Sequence, residues 1–204
     1  MNWLLQSLVA GVASFGATNV DDLFVLMLFF NQAEVEGTRR WPIVIGQYLG
    51  FAALVAVSLP GYYCQYLLPR PWIGLLGVVP ILMGIREWRR RRQRELGRTE
   101  TAVGKAASWT GSVFAVAVVT VANGADNVGV YTPLFAASSS GQLQLTVALF
   151  GVMLGLWCVF GHWLGTHPMV AWSLQQRGSR LVPWLLVAVG IYVLAASQTW
   201  KLFL

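Results

Sequence analysis

Two short polar segments interrupt otherwise apolar stretches of this chain: Ala17-Thr18-Asn19-Val20-Asp21-Asp22 and Ala122-Asn123-Gly124-Ala125-Asp126-Asn127. Together they gather three carboxylates, Asp21, Asp22 and Asp126, and three carboxamides, Asn19, Asn123 and Asn127. No lysine or arginine stands at matching depth to pair with the acids. A carboxylate surrounded by hydrocarbon is costly unless it is neutral, hydrated, paired or bound to a cation. An anionic, oxygen-rich cluster without a basic partner suits a cation, and oxygen ligands favour a hard one such as Ca²⁺ or Mn²⁺. Three carboxylates also hold protons in place of a dication, which makes protons the natural coupling ion. The alternative role, hydrogen bonding between helices, suits Thr18 or Asn123 taken singly and suits the acids poorly.

Helical geometry limits how these groups converge. Thr18 and Asp22 share a face, as do Asn123 and Asn127. Asp21 and Asp22 lie about 100° apart, so both serve the ion only through local unwinding or at two positions along the pathway. Gly16 and Gly124 lower the cost of unwinding, and Pro133 removes the usual partner of the Gly129 carbonyl. The first and fourth helices are therefore the ones expected to break at their acidic motifs.

The elements that carry the motifs follow from composition. Of 204 residues, 56% are hydrophobic and only 11% charged, against about 25% charged in a soluble domain. Apolar runs reach the ~20 residues that cross a bilayer. The expectation is an all-α integral membrane protein with six transmembrane helices at about 3–30, 42–63, 67–85, 108–133, 143–164 and 181–200. The N-terminal run lacks a basic flank and is read as a retained span. Cys64 and Cys158 are too few and too distant for a disulfide framework or a Cys-x-x-Cys site. The lysines, Lys105 and Lys201, fall outside the predicted spans or at their ends, which argues against a retinal Schiff base. No phosphate-binding glycine motif and no resident cofactor are expected.

Fourteen basic residues give a formal net charge of +6, yet eight of them lie between Arg86 and Lys105. With Arg39, Arg40, Arg177 and Arg180, twelve fall on one side of the predicted spans, and only Arg70 and Lys201 on the other. The larger set belongs in the cytoplasm, which puts both termini outside. The arginine-rich run Arg89–Arg98 is thus read as topological, with no nucleic-acid partner.

The chain also repeats itself at an offset of 105 residues, which pairs Ala17 with Ala122, Asp21 with Asp126 and Val25 with Val130. The same offset pairs Gly46 with Gly151, Leu49 with Leu154 and Gly50 with Gly155. Three spans per half force the halves into opposite orientations, an inverted repeat of the kind transporters use around mid-membrane sites. The predicted organisation is one transporter domain: repeat one about 1–86, a basic cytoplasmic loop about 87–107, and repeat two about 108–204. The glycine pairs are expected to let spans approach closely, within one chain or across a dimer. Gln47 is a secondary ligand candidate. Cys158 and His162, four residues apart with Met153 nearby, form a secondary soft-metal candidate, with a buried thiol and an interfacial imidazole as the alternative. Pro60 and Pro80 read as kinks.

With these residues assembled, the chain resembles the bacterial cadmium-resistance transporter family of the lysine-exporter superfamily. The resemblance rests on residues 17–25 and 122–131, on Pro133-Leu134-Phe135 and on Gly46-Gln47-Tyr48-Leu49-Gly50. It implies efflux of divalent cations, Cd²⁺ foremost, across a bacterial inner membrane, and kinship with manganese exporters and calcium/manganese–proton exchangers. It also implies ion binding at Asn19, Asp21, Asp22, Asn123, Asp126 and Asn127. Neither motif contains the cysteine that a cadmium-specific site invites, but an oxygen cage sized for Ca²⁺ also passes Cd²⁺. Two other readings stand beside export of a metal. One is export of a cationic amino acid or another small organic cation. The other is an intramembrane aspartyl protease built on Asp21 and Asp126, although Val20 and the Asn123-Gly124-Ala125 run replace the residues that class places before its acids.

Overall fold

A computed structural model describes residues 3–94 and 113–199, which are helical apart from short connections. Helix α1 spans Trp3–Val35, α2 Trp41–Ser58 and α3 Pro60–Leu67. Next come α4 at Arg70–Gly74, a 3₁₀ turn at Leu75–Gly77 and α5 at Val78–Arg94. The second part comprises α6 at Val113–Asn123, α7 at Ala125–Ala136, α8 at Ser140–Gly165 and α9 at Pro168–Ala196.

Among the described residues, Trp3–Val35, Trp41–Leu67 and Ser140–Gly165 are each long and apolar enough to cross a membrane, and α6 with α7 reaches that length and hydropathy only as a pair bent by 66°. The remaining apolar stretches, Trp72–Arg86 and Val182–Ala196, are shorter. At 1.5 Å per residue each rises about 22 Å, less than the ~30 Å of a hydrocarbon core. The protein is an all-α membrane protein.

Several expected boundaries move for physical reasons. The first helix does not break at its motif: α1 runs unbroken for 33 residues. The Thr18 hydroxyl donates to Ser14 O and the Asn19 amide to Phe15 O, each four residues back, so both polar side chains fold onto the helix they occupy. Gly16 has open space around it and no neighbour driving an unwinding. The second span continues to Leu67 through a break at Leu59, where Pro60 opens α3 without needing an N–H. The third begins at Arg70 and passes through the 3₁₀ turn just before Pro80. Arg177 and Arg180, expected in a loop, lie on α9, which starts thirteen residues before the predicted sixth span. Helix α5 carries the first part of the basic segment to Arg94; Arg98, Lys105 and Lys201 lie outside the described residues.

Packing follows a crossed pattern. Helix α1 packs chiefly on α8 and α9, α2 on α6, α3 on α7, and α5 on α9. The α2–α6 contact depends on glycine. A Cβ on Gly50 would stand 2.6 Å from Thr120 Cβ and 2.8 Å from Ala117 O, and one on Gly46 would meet Val113 O. Their counterparts behave differently. Nothing lies within 4 Å of a Cβ at Gly151, and one at Gly155 meets only the Tyr48 hydroxyl. The matching close approach on α8 is instead at Gly161 and Gly165, against Leu26, Met27 and Asn31 of α1. The predicted packing role holds for Gly46 and Gly50 and passes to other glycines in the second half.

Candidate ion-binding site

The two motifs meet at the centre of the bundle. On α1, Thr18, Asn19 and Asp22 are buried and face inward, whereas Asp21 is exposed at the surface of the chain. This is the separation that a continuous helix imposes on neighbouring residues. On the other side, the chain breaks at Gly124, between Asn123 at the end of α6 and Asp126-Asn127 in the first turn of α7. The residue at the break has to be small, because a Cβ at position 124 would run into the Leu54 side chain. Glycine at this point lets α2 press against the bend.

The closest link between the motifs is the Asn123 amide, which donates to Asp22 Oδ1 at 2.6 Å. A second is longer, from Asn19 Nδ2 to Asn127 Oδ1 at 3.4 Å. The same Asn19 nitrogen lies 2.9 Å from Phe15 O, 3.0 Å from Thr18 Oγ1 and 2.8 Å from the Tyr131 hydroxyl. A carbonyl accepts only, so Phe15 O fixes which end of the Asn19 amide carries the nitrogen. Asn19 Oδ1 is thereby turned away, buried and without a hydrogen-bond partner in the protein. The other Asp22 oxygen, Oδ2, is likewise buried and unpartnered. Positions 19 and 22 share a helix face, so the two residues that carry these oxygens are neighbours on α1. Leaving buried acceptors without a hydrogen bond costs about 1–3 kcal/mol each.

Asp126 completes the acidic group. Its Oδ1 accepts from the Asn127 backbone N–H at 3.1 Å, in the first turn of α7 where helix N–H groups are free. Its carboxyl lies within electrostatic range of Asp22 and Asp21. Among the described residues, no three carboxylate, imidazole or thiol groups are drawn close enough to hold a metal ion. The arrangement thus joins one amide to one carboxylate tightly and Asn19 to Asn127 more loosely.

The secondary candidates separate. Gln47 is buried beside Asp22, but its oxygen accepts from Thr120 Oγ1 at 2.6 Å, so the end it presents toward Asp22 is the Nε2 donor rather than a ligand oxygen. Cys158 packs in an apolar cluster with Leu26, Phe29, Phe30, Ile43 and Val116. The His162 ring lies 5.3 Å from that of Phe30. Met153 belongs to a different cluster, so the three do not form a soft-metal site.

Three supporting residues escaped the motif-based reading. Tyr131, fully buried, reaches from α7 to Thr18 at 2.9 Å and Asn19 at 2.8 Å on α1. Its position one helical turn after Asn127 was the available signal, because a buried tyrosine hydroxyl needs a partner. Trp157 donates from Nε1 to the Asn19 carbonyl at 2.8 Å, and Thr120 fixes Gln47. Nothing in local spacing pointed to either.

No curated protein and no solved structure matches this chain. A family model described as cadmium resistance transporter matches residues 15–204, a stretch that contains both motifs and every residue of the site. The acidic pair of motifs, the membrane-spanning helices and this match agree, and the chain belongs to the cadmium resistance transporter family.

Proposed function

We propose that the protein is a secondary active transporter that exports divalent metal cations, Cd²⁺ or Mn²⁺ among them, in exchange for protons. The observation that carries this reading is the 2.6 Å bond from Asn123 to Asp22, beside the two unpartnered oxygens of Asn19 and Asp22. It ties the two motifs into one oxygen-rich site with no basic counter-charge. The cation is the substrate. Asp22 and Asn19 form the fixed half of its site on α1. Asp126, Asn123 and Asn127 form the movable half on either side of the Gly124 bend, and Asp21 stands at the approach. Broken helices serve ion sites in transporters because a helix end supplies partial charge and free backbone groups at mid-membrane.

The reading includes two inverted three-span halves in a bacterial inner membrane, with the basic segment cytoplasmic and both termini outside. The crossed packing supports it. Exchanging the halves turns the contact of α1 with α8 into that of α2 with α6, and both are among the main interfaces. Alternating access then rocks one set against the other, and protons replace the metal on Asp22 and Asp126 as it leaves.

The test is radiolabelled cadmium and manganese uptake into inside-out vesicles, for wild type and Asp126→Asn, with and without an imposed pH gradient. Uptake that follows the gradient and is lost in the variant is expected. Wild-type vesicles that move neither metal would overturn the reading.

A further inference from the structure

A cavity of about 270 Å³ opens at the end of the bundle toward which α1 begins and α7 ends. It lies among Gln6, Gln65, Ser138, Gln142, Tyr192 and Ser197. None of the described residues that line it is charged. Along α1, Gln6 precedes Asn19 by about 20 Å, and along the other arm Ser138 follows Asp126 by about 18 Å, at 1.5 Å per residue. The cavity is therefore far from the acidic site, in the same direction along both motif helices. Ser197 lines it while only 4% exposed, its Oγ buried without a hydrogen-bond partner in the protein.

Between cavity and acidic site stands a partition of five aromatic rings from four helices. Phe15 comes from α1, Phe51 from α2, Tyr131 and Phe135 from α7, and Phe150 from α8; all are 4% exposed or less. Tyr131 and Phe150 have ring centroids 4.6 Å apart, Phe15 and Phe150 5.8 Å, and Phe51 and Tyr131 6.0 Å. Tyr131 belongs to both regions, since its hydroxyl holds Asn19 while its ring fills the partition.

We propose that the cavity is the release chamber of the transport path, a neutral subsite that takes the divalent cation, with its water shell, after it has left the carboxylates. This rests on the metal-export reading above. The chemistry follows from what release demands. Carboxylates hold a dication strongly, so an exit built from more carboxylates would retain it. Amide and hydroxyl oxygens replace part of its hydration without a Coulombic trap, and the cavity has room for the roughly six waters that a small dication carries. The partition keeps chamber and acidic site from being open to each other in this conformation. Passage requires the rings of α7 to move away from Phe15 and Phe150, a motion for which the Gly124 bend supplies the hinge.

The test adds charge to the chamber without adding bulk selectively. Ala137 lines the cavity and is partly buried. In cadmium flux measurements, Ala137→Asp is expected to lower the maximal rate about fivefold or more and to leave initial uptake from low cadmium undiminished, whereas the near-isosteric Ala137→Asn stays close to wild type. Equal effects of the two variants, or no effect of either, would overturn the proposal. A wild type that moves no cadmium is a failure of the export reading instead, and is scored separately. A second measurement needs no transport. With Cys64→Ser and Cys158→Ala as background, Ala137→Cys and Asn123→Cys are exposed to a membrane-impermeant cationic thiol reagent from each face of the membrane. Modification of the two from opposite faces is expected. Modification of both from one face, or of Ala137→Cys from neither, contradicts a release chamber.

Discussion

The two acidic motifs start from similar sequences and end in different backbones. On α1, Thr18-Asn19-Val20-Asp21-Asp22 lies within one unbroken helix whose polar side chains bond back to their own backbone or across to Tyr131. In the second half, Asn123 and Asp126 fall on two helices bent by 66° about Gly124. The bend falls where position 124 is glycine and the repeat offset places Asn19, and Leu54 occupies the space a Cβ there would need. One motif lies on an unbroken helix and the other straddles a bend, so in the proposed transporter the two halves are unequal, one a platform and the other a hinge.

The sharpest way to break that comparison is to remove charge from each side. Asp22→Asn and Asp126→Asn are each expected to reduce metal export by roughly 100-fold, because cation affinity follows ligand charge. Asp21→Asn, altering an exposed carboxyl, should cost only about a few-fold under the same principle. Vesicle flux at matched membrane protein content decides the order. If Asp21→Asn proves as severe as Asp22→Asn, α1 must rotate or unwind during transport.

The hinge is tested next. Gly124→Ala forces a methyl into Leu54 and is expected to destabilise the protein by about 1–3 kcal/mol, read as a lower unfolding midpoint in detergent, and to slow transport. Adding Leu54→Ala should recover much of the midpoint, since the clash is local to that pair. A Gly16→Ala control, with open space around it, should leave stability unchanged or slightly raised.

Smaller effects concern support of the platform. Tyr131→Phe deletes the hydroxyl shared by Thr18 and Asn19. It should cost about 1–2 kcal/mol of stability and about tenfold in cation affinity, the size usual for groups that orient a metal ligand. Smallest of all is Gly151→Ala, expected to be close to neutral, while Gly46→Ala should destabilise by about 1–3 kcal/mol through its contact with α6. Thermal unfolding of the two variants side by side checks that only the first half uses its Gly-x-x-x-Gly face between helices.

Much of this was legible from residues alone. Acids in apolar stretches without basic partners pointed to two motifs that the fold brings together at the Asn123–Asp22 bond, and helical spacing correctly put Asp21 and Asp22 on different faces. The break at Gly124 was also readable, because glycine there stands among residues with local hydrogen-bonding alternatives. What could not be read was tertiary. Gly16 carried the same propensity for a break as Gly124, yet no neighbour drives one. Gly151 shares the spacing of Gly46, but which helix lies across from it is fixed by the whole bundle. Tyr131, Trp157 and Thr120 reach the site from sequence distances that no local pattern encodes. Arg177 and Arg180 lie on a helix because α9 begins at Pro168, well before its apolar stretch.

The central claim is that both motifs hold one cation together, and equilibrium binding tests it without depending on coupling or direction. Radiolabelled cadmium would be titrated onto purified protein in a Cys64→Ser, Cys158→Ala background, alone and with Asp22→Asn or Asp126→Asn. The account predicts a single saturable ion per chain that either substitution removes while the protein stays folded. Retention of that ion after both substitutions, singly and combined, would contradict it.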